Sequence, residues 1–127
     1  MTKYTIKNIS ESHLLILLDA LNLYFRVGMG QFGEILHVIE PKCDRDAARN
    51  LIEFVKKQVT GMDEGSYLGI LSKDLPDRFK SACDMHSVLR HARAWHNEPN
   101  GGIRVDFDDP TRYGDLPFIQ CELKSDI

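Results

Sequence analysis

Apolar residues in the first third of the chain recur at helical rather than alternating spacing. Leu14, Leu17, Leu18, Leu21, Tyr24 and Phe25 fall three and four apart, which predicts a helix over about 11–27 with Ser10 or Ser12 as its N-cap. This helix is apolar over most of its circumference, which places it at the centre of the fold or in a subunit interface. Its one narrow polar stripe is Asp19, Asn22 and Arg26. Phe32, Ile35, Leu36 and Ile39 mark a second helix over about 30–39, ended ahead of Pro41. Asp44 caps a third over about 45–60, with Ala48, Leu51, Ile52, Val55 and Val59 on one face and Gly61 at its C-terminal end. Pro76 opens a fourth over about 76–97.

Alternation takes over at the ends of the chain. KYTIK at 3–7 reads as a short strand. Beyond the turn cluster NEPNGG, IRVDF at 103–107 and LPFIQCEL at 116–123 read as two strands flanking the loop DDPTRYGD. The expected class is α+β, mainly α: about four helices with a small C-terminal antiparallel β element. No linker rich in Gly, Ser or Pro divides the chain, so residues 1–127 read as one domain.

GMGQFG, from Gly28 to Gly33, satisfies the G-x-G-x-x-G pattern of a dinucleotide-binding loop. That chemistry requires a strand running into the first glycine, so that a helix N-terminus faces the pyrophosphate. Here a helix runs into it instead. The glycines therefore read as a tight corner between two helices, with Arg26 beside it.

Charge narrows the partners. Sixteen Lys and Arg stand against nineteen Asp and Glu, a net charge of −3. Bulk nucleic acid calls for a basic excess, whereas a small anionic ligand needs only a few placed cations. No apolar run has transmembrane length, and the start MTKYTIKNIS has no apolar signal core. The expectation is a cytoplasmic protein with no membrane partner. Cys43, Cys83 and Cys121 form no C-x-x-C pair and read as reduced residues.

The fourth helix carries the densest polar chemistry. At about 100° per residue, His86, Arg90, Arg93 and Asn97 gather within about 60° of one another, beside a seam of Met85, Val88, Leu89, Ala92 and Trp95. Between Arg78 and Arg93 four Lys or Arg accompany a single acid. Two arginines one turn apart can each fork onto phosphate oxygens, His86 can add a donor, and Asn97 can read a base or hydroxyl. Trp95, Tyr24 and Tyr67 offer stacking surfaces for bases. The alternative is a solvated basic face paired with local acids. Arg26, lone cation of an apolar helix, needs either Asp19 on its own helix or an anion from outside.

Other constellations are weaker. His86, His91 and His96 recur every five residues and so share no face. His37 and Glu40 make a two-ligand H-x-x-E fragment, and DFDDP reads as a turn. The sequence holds no nucleophile elbow, P-loop lysine or zinc-protease signature. The residues therefore point to no catalytic set, no metal and no cofactor.

Two blocks, LDALNLYFRVGMGQF and DMHSVLRHARAWHNEPNGGIRVDFDDP, resemble a widespread set of small proteins carried by phages and prophages. The resemblance covers most of the chain, and its motifs are not catalytic signatures. The set is similar to the nucleotide-sponge family, which blocks anti-phage defence of the CBASS type, or the related Thoeris type, by sequestering its nucleotide messengers. The resemblance implies an immune-evasion protein that binds a cyclic nucleotide signal without cleaving it, and a homo-oligomer, dimer or tetramer, with pockets near subunit boundaries. It assigns no individual residue. Arg26, Arg90 and Arg93 as phosphate ligands, and Tyr24, Tyr67 and Trp95 as stacking rings, come from the helix faces alone. Two other readings stay open: an inhibitor that masks a host defence enzyme through the first or fourth helix, and a metal-dependent hydrolase using His86 or His96 with Asp106 or Asp108.

Overall fold

The computed structural model describes residues 2–123, and all its regular structure is helical: α1 Glu11–Gly28, α2 Ile35–Val38, α3 Arg45–Thr60 and α4 Asp77–Asn97, with short 3-10 turns at Phe32–Glu34 and Val105–Phe107. Local chemistry sets the ends. Ser10 caps α1, its hydroxyl accepting from the His13 backbone N–H at 3.2 Å. Asp44 caps α3 through the Ala47 N–H, and Gly61 closes that helix in the left-handed conformation, φ +77°.

α1 packs chiefly on α4. Their shared core is Phe25, Met29, Leu75 and Ala82, with Leu21, Leu68, Ile70, Phe79 and Cys83 packed around it. The two helices approach closely at Gly28, where a Cβ would fall 2.2 Å from the Phe79 ring. α1 is thus covered by α4 on one side, with Leu14 and Phe25 buried, while Leu15 and Ile16 on its first half face solvent.

α3 is attached less firmly. It meets the rest of the chain at the Phe32–Glu34 turn and through Lys56. Of the five apolar residues aligned on its predicted face, only Ala48 is buried and Ile52 half-buried, while Leu51, Val55 and Val59 are exposed. The second helix is also shorter than its apolar spacing predicts. Residues 32–34 wind as a 3-10 turn and only four residues are α-helical.

The expected β element is absent: among the described residues there is no strand, and the fold is all-helical. The alternating segments 3–7, 103–107 and 116–123 pair with nothing as ladders. At 105–107 the reason lies in α4. Trp95 Nε1 donates to the Phe107 carbonyl at 3.1 Å, His91 Nδ1 donates to the Asp106 carbonyl at 3.2 Å, and the Phe107 ring meets Trp95 edge-on at 5.4 Å. These contacts take carbonyls a ladder would need and wind the segment into a 3-10 turn. Farther on, buried Asp84 accepts the Tyr113 and Gly114 N–H groups at 2.8 and 2.9 Å, and Asp77 accepts that of Asp115 at 2.9 Å. Two carboxylates of α4 thus hold backbone donors in place of a neighbouring strand.

Candidate functional site

A cleft of about 480 Å³ opens between the glycine corner, α3 and the loop that follows α3. Its volume is that of an ordinary small-molecule site. Gly30, Gln31 and Gly33 of the GMGQFG stretch line it, yet the pattern is no dinucleotide fingerprint, because α1 rather than a strand enters it. At Gly33 no atom lies within 4 Å of where a Cβ would stand, so the backbone there is bare to an incoming group.

Arg26 reaches this cleft from the last turn of α1. Its Nη1 donates to Gln31 Oε1 at 3.0 Å and its Nε to Asn22 Oδ1 at 3.3 Å. Both acceptors are neutral amides. Among the described residues no carboxylate comes within ion-pair distance of Arg26, Asp19 included. A half-buried guanidinium is therefore hydrogen-bonded but not neutralised.

α3 supplies the facing wall with Arg45, Arg49 and Lys56. Arg45 donates to the Leu36 carbonyl at 3.0 Å and stands 3.7 Å from exposed Glu40. Arg49 meets Asp46 at 3.3 Å in solvent, a pair of little net strength. Lys56 is different: it is 1% exposed, and its Nζ donates to Glu53 Oε2 at 2.7 Å and to the Ser66 carbonyl at 2.9 Å. The Gly65 N–H donates to the same Glu53 oxygen at 3.3 Å, and the Leu68 N–H to the Met29 carbonyl at 2.7 Å. These bonds fix the loop that presents Tyr67, whose ring is largely exposed at the rim. The Lys56 hydrogen bond, outweighing burial, holds the Glu53 carboxyl below its ordinary range. With Lys56 cancelled by Glu53, Arg26, Arg45 and Arg49 face the cleft against the lining carboxylate Glu34, which accepts from Asn22 and sits 2.9 Å from His37 Nδ1. His37 thus pairs with Glu34 rather than with Glu40.

The other residues selected from the sequence sit elsewhere. Arg90 lies 3.2 Å from Asp106, with Nε buried and too poorly aligned for a hydrogen bond. Arg93 pairs with Glu11 at the start of α1. Trp95 is engaged by Phe107, and Asn97 is the exposed last residue of α4. Tyr24 stacks obliquely on Phe79 at 5.0 Å. His86 is half-buried edge-on to Phe25, and burial, reinforced by the Arg90 and Arg26 charges, pushes its pKa down to about 4. It is neutral near pH 7 and carries no charge toward an anion. Of the eight, the structure brings Arg26 and Tyr67 to the cleft.

Arg45, Arg49 and Lys56 lie outside the residues expected at the site, although their spacing carries a signal. At spacing i, i+4 and i+11 they share one face of α3, by the same geometry that aligns the α4 stripe. Among the described residues no group of three or more His, Cys, Asp or Glu is placed to hold a metal ion, and no helix is long and apolar enough to cross a membrane. The three cysteines are free. No family model, curated protein or solved structure matches the chain.

Proposed function

We propose that this protein binds a small phosphate-bearing nucleotide in the cleft between the glycine corner and α3 and holds it without converting it. The observation that carries this reading is Arg26: a half-buried cation lining the cleft, bonded only to neutral amides. Such a charge is stabilised by an anion that brings its own oxygens. Arg45 and Arg49 add two cations on the opposite wall, the bare backbone at Gly33 permits close approach, and Tyr67 offers a ring on which a base stacks. The sequence resemblance names the messenger class as a cyclic nucleotide defence signal and the role as phage-encoded sequestration in the host cytoplasm. The phosphate ligands move from the α4 stripe to the cleft because Arg26, which meets no carboxylate among the described residues, lines the cleft, whereas Arg90 and Arg93 lie outside it.

The test is a thermal-shift screen against cyclic dinucleotides, cyclic trinucleotides and cyclic ADP-ribose isomers, with the ligand recovered by chromatography after heating. A ligand at 100 times its dissociation constant adds about 2.7 kcal/mol, or about 10 °C for a chain of this size. The expected result is a shift with intact ligand, abolished by Arg26→Met and retained in Arg93→Ala. A shift with altered ligand assigns an enzyme instead. A shift that survives Arg26→Met removes this cleft as the site, and no shift with any nucleotide overturns the reading.

A further inference from the structure

We infer that Glu34 reads the base of the bound nucleotide and selects guanine. The inference rests on the nucleotide reading of the cleft and concerns which base enters it. A carboxylate in a cleft that receives phosphate repels its ligand unless it serves another purpose. Glu34 lines the cleft, and its side chain is 20% exposed. It is not spent on the cleft's cations, because among the described residues no Lys or Arg lies within ion-pair distance of it. Its Oε2 accepts from the Asn22 amide at 3.3 Å and meets His37 Nδ1 at 2.9 Å, while Oε1 makes no hydrogen bond among the described residues. One oxygen of a held carboxylate is thus left to accept from a ligand. The second carboxylate of the cleft, Glu53, is matched, since Lys56 and the Gly65 N–H both donate to it.

The chemistry of a carboxylate decides the base. An ionised carboxylate accepts and never donates, so it favours an edge with adjacent N–H donors. Guanine presents N1–H and its 2-amino group side by side. Adenine and cytosine set a ring-nitrogen lone pair beside their amino group, and uracil flanks its N3–H with two carbonyls. Each of these brings an acceptor against the carboxylate. The 2-amino group of guanine donates to Oε1, and N1–H donates to Oε2 in place of His37, which is 67% exposed and yields to an incoming donor. The surroundings suit a planar ring. No atom lies within 4 Å of a Cβ position at Gly33, the residue before Glu34, and Tyr67 stands at the rim. Asn22 ties the base reader to the phosphate ligand: its Oδ1 accepts from Arg26 Nε and its Nδ2 donates to Glu34, each at 3.3 Å. One amide therefore holds the guanidinium and the carboxylate in a fixed relation.

Isothermal titration calorimetry of the full chain with cyclic di-GMP and cyclic di-AMP compares two bases on one phosphate frame. The expected result is tighter binding of cyclic di-GMP by about tenfold to a hundredfold. Cyclic di-IMP, which keeps N1–H and lacks the 2-amino group, falls between them. Glu34→Gln abolishes the preference, because its amide donates to adenine N1 and accepts from the adenine amino group. If Glu34 merely repels phosphate, Glu34→Gln tightens both ligands equally and leaves their ratio unchanged, which overturns the inference. Equal affinity of the wild-type protein for the two ligands overturns it and leaves the nucleotide reading standing. Binding of neither ligand overturns it as well, and the nucleotide reading falls with it only if every nucleotide of the thermal-shift screen also fails.

Discussion

Replacing Lys56 by Met separates the ion pair that fixes the cleft wall from the hydrophobic stem that fills it. Lys56 Nζ lies 2.7 Å from Glu53 and 2.9 Å from the Ser66 carbonyl, and its side chain is almost wholly enclosed. Removing one member of a buried pair costs about 3–5 kcal/mol, because the surviving charge has lost both water and partner. The Glu53 side chain keeps 17% exposure and the Gly65 N–H, so some of its hydration returns and the cost falls near the lower bound, about 3 kcal/mol. At about 2.1 cal/mol/K per residue, that lowers the midpoint by about 10 °C. The effect depends on pH with a definite sign. The Lys56 hydrogen bond, against burial and with help from Gly65, holds the folded Glu53 carboxyl below its ordinary 4.5. A lowered folded pKa means stability that is present above pH 4.5 and lost as pH falls through the folded value. Urea unfolding of wild type and Lys56→Met should therefore differ most near neutral pH and converge in acid. The double variant Lys56→Met/Glu53→Gln, which leaves no unpaired charge, should be more stable than the single variant by about 1 kcal/mol or more. A single variant within about 0.5 kcal/mol of wild type, or a gap that does not narrow in acid, refutes the account.

Two further perturbations test the helical core and its buried histidine. Gly28→Ala drives a methyl into the Phe79 ring between α1 and α4 and should cost about 1–3 kcal/mol in urea unfolding, whereas an ordinary Gly→Ala change in a helix stabilises. His86 has a folded pKa of about 4 against an ordinary 6.5, so the unfolded chain protonates first as pH falls. Wild type should lose up to about 3 kcal/mol between those two values while His86→Phe does not, as read by unfolding free energy against pH; parallel profiles refute it.

The helices were legible because their determinants are local. Leucines three and four apart, Ser10 and Asp44 as caps, and Gly61 as a terminator sit within a few residues of what they control. The β element was not legible for the converse reason. Alternation at 103–107 and 116–123 states that a segment suits an extended backbone, but a strand exists only if a neighbour supplies its ladder. Here Trp95, His91, Asp84 and Asp77 of α4 supplied hydrogen bonds first. The apolar face of α3 was legible as a face, but its burial was not. Periodicity fixes which residues align and leaves open whether the partner surface belongs to the same chain.

The same distinction governs the candidate site. Arg90 and Arg93 align as cations on α4 by their spacing, and Arg45, Arg49 and Lys56 make an equivalent alignment on α3. Alignment does not reveal which cation remains free to meet a ligand, because that depends on carboxylates distant in sequence. Arg93 is matched by Glu11 from the opposite end of the chain, and Arg90 by Asp106 from a segment expected to be a strand. Lys56 is matched by Glu53 on its own helix, and the pair then serves to hold a loop rather than to bind. Arg26 escapes such matching for a reason that is visible in the sequence. Its helix is apolar on nearly every side, so few acids lie within reach, and the glycine corner that follows brings Gln31 and not a carboxylate against it. The GMGQFG stretch thus lines the cleft without forming a dinucleotide fingerprint. It turns the chain so that the one guanidinium of α1 faces a cleft with bare backbone beside it.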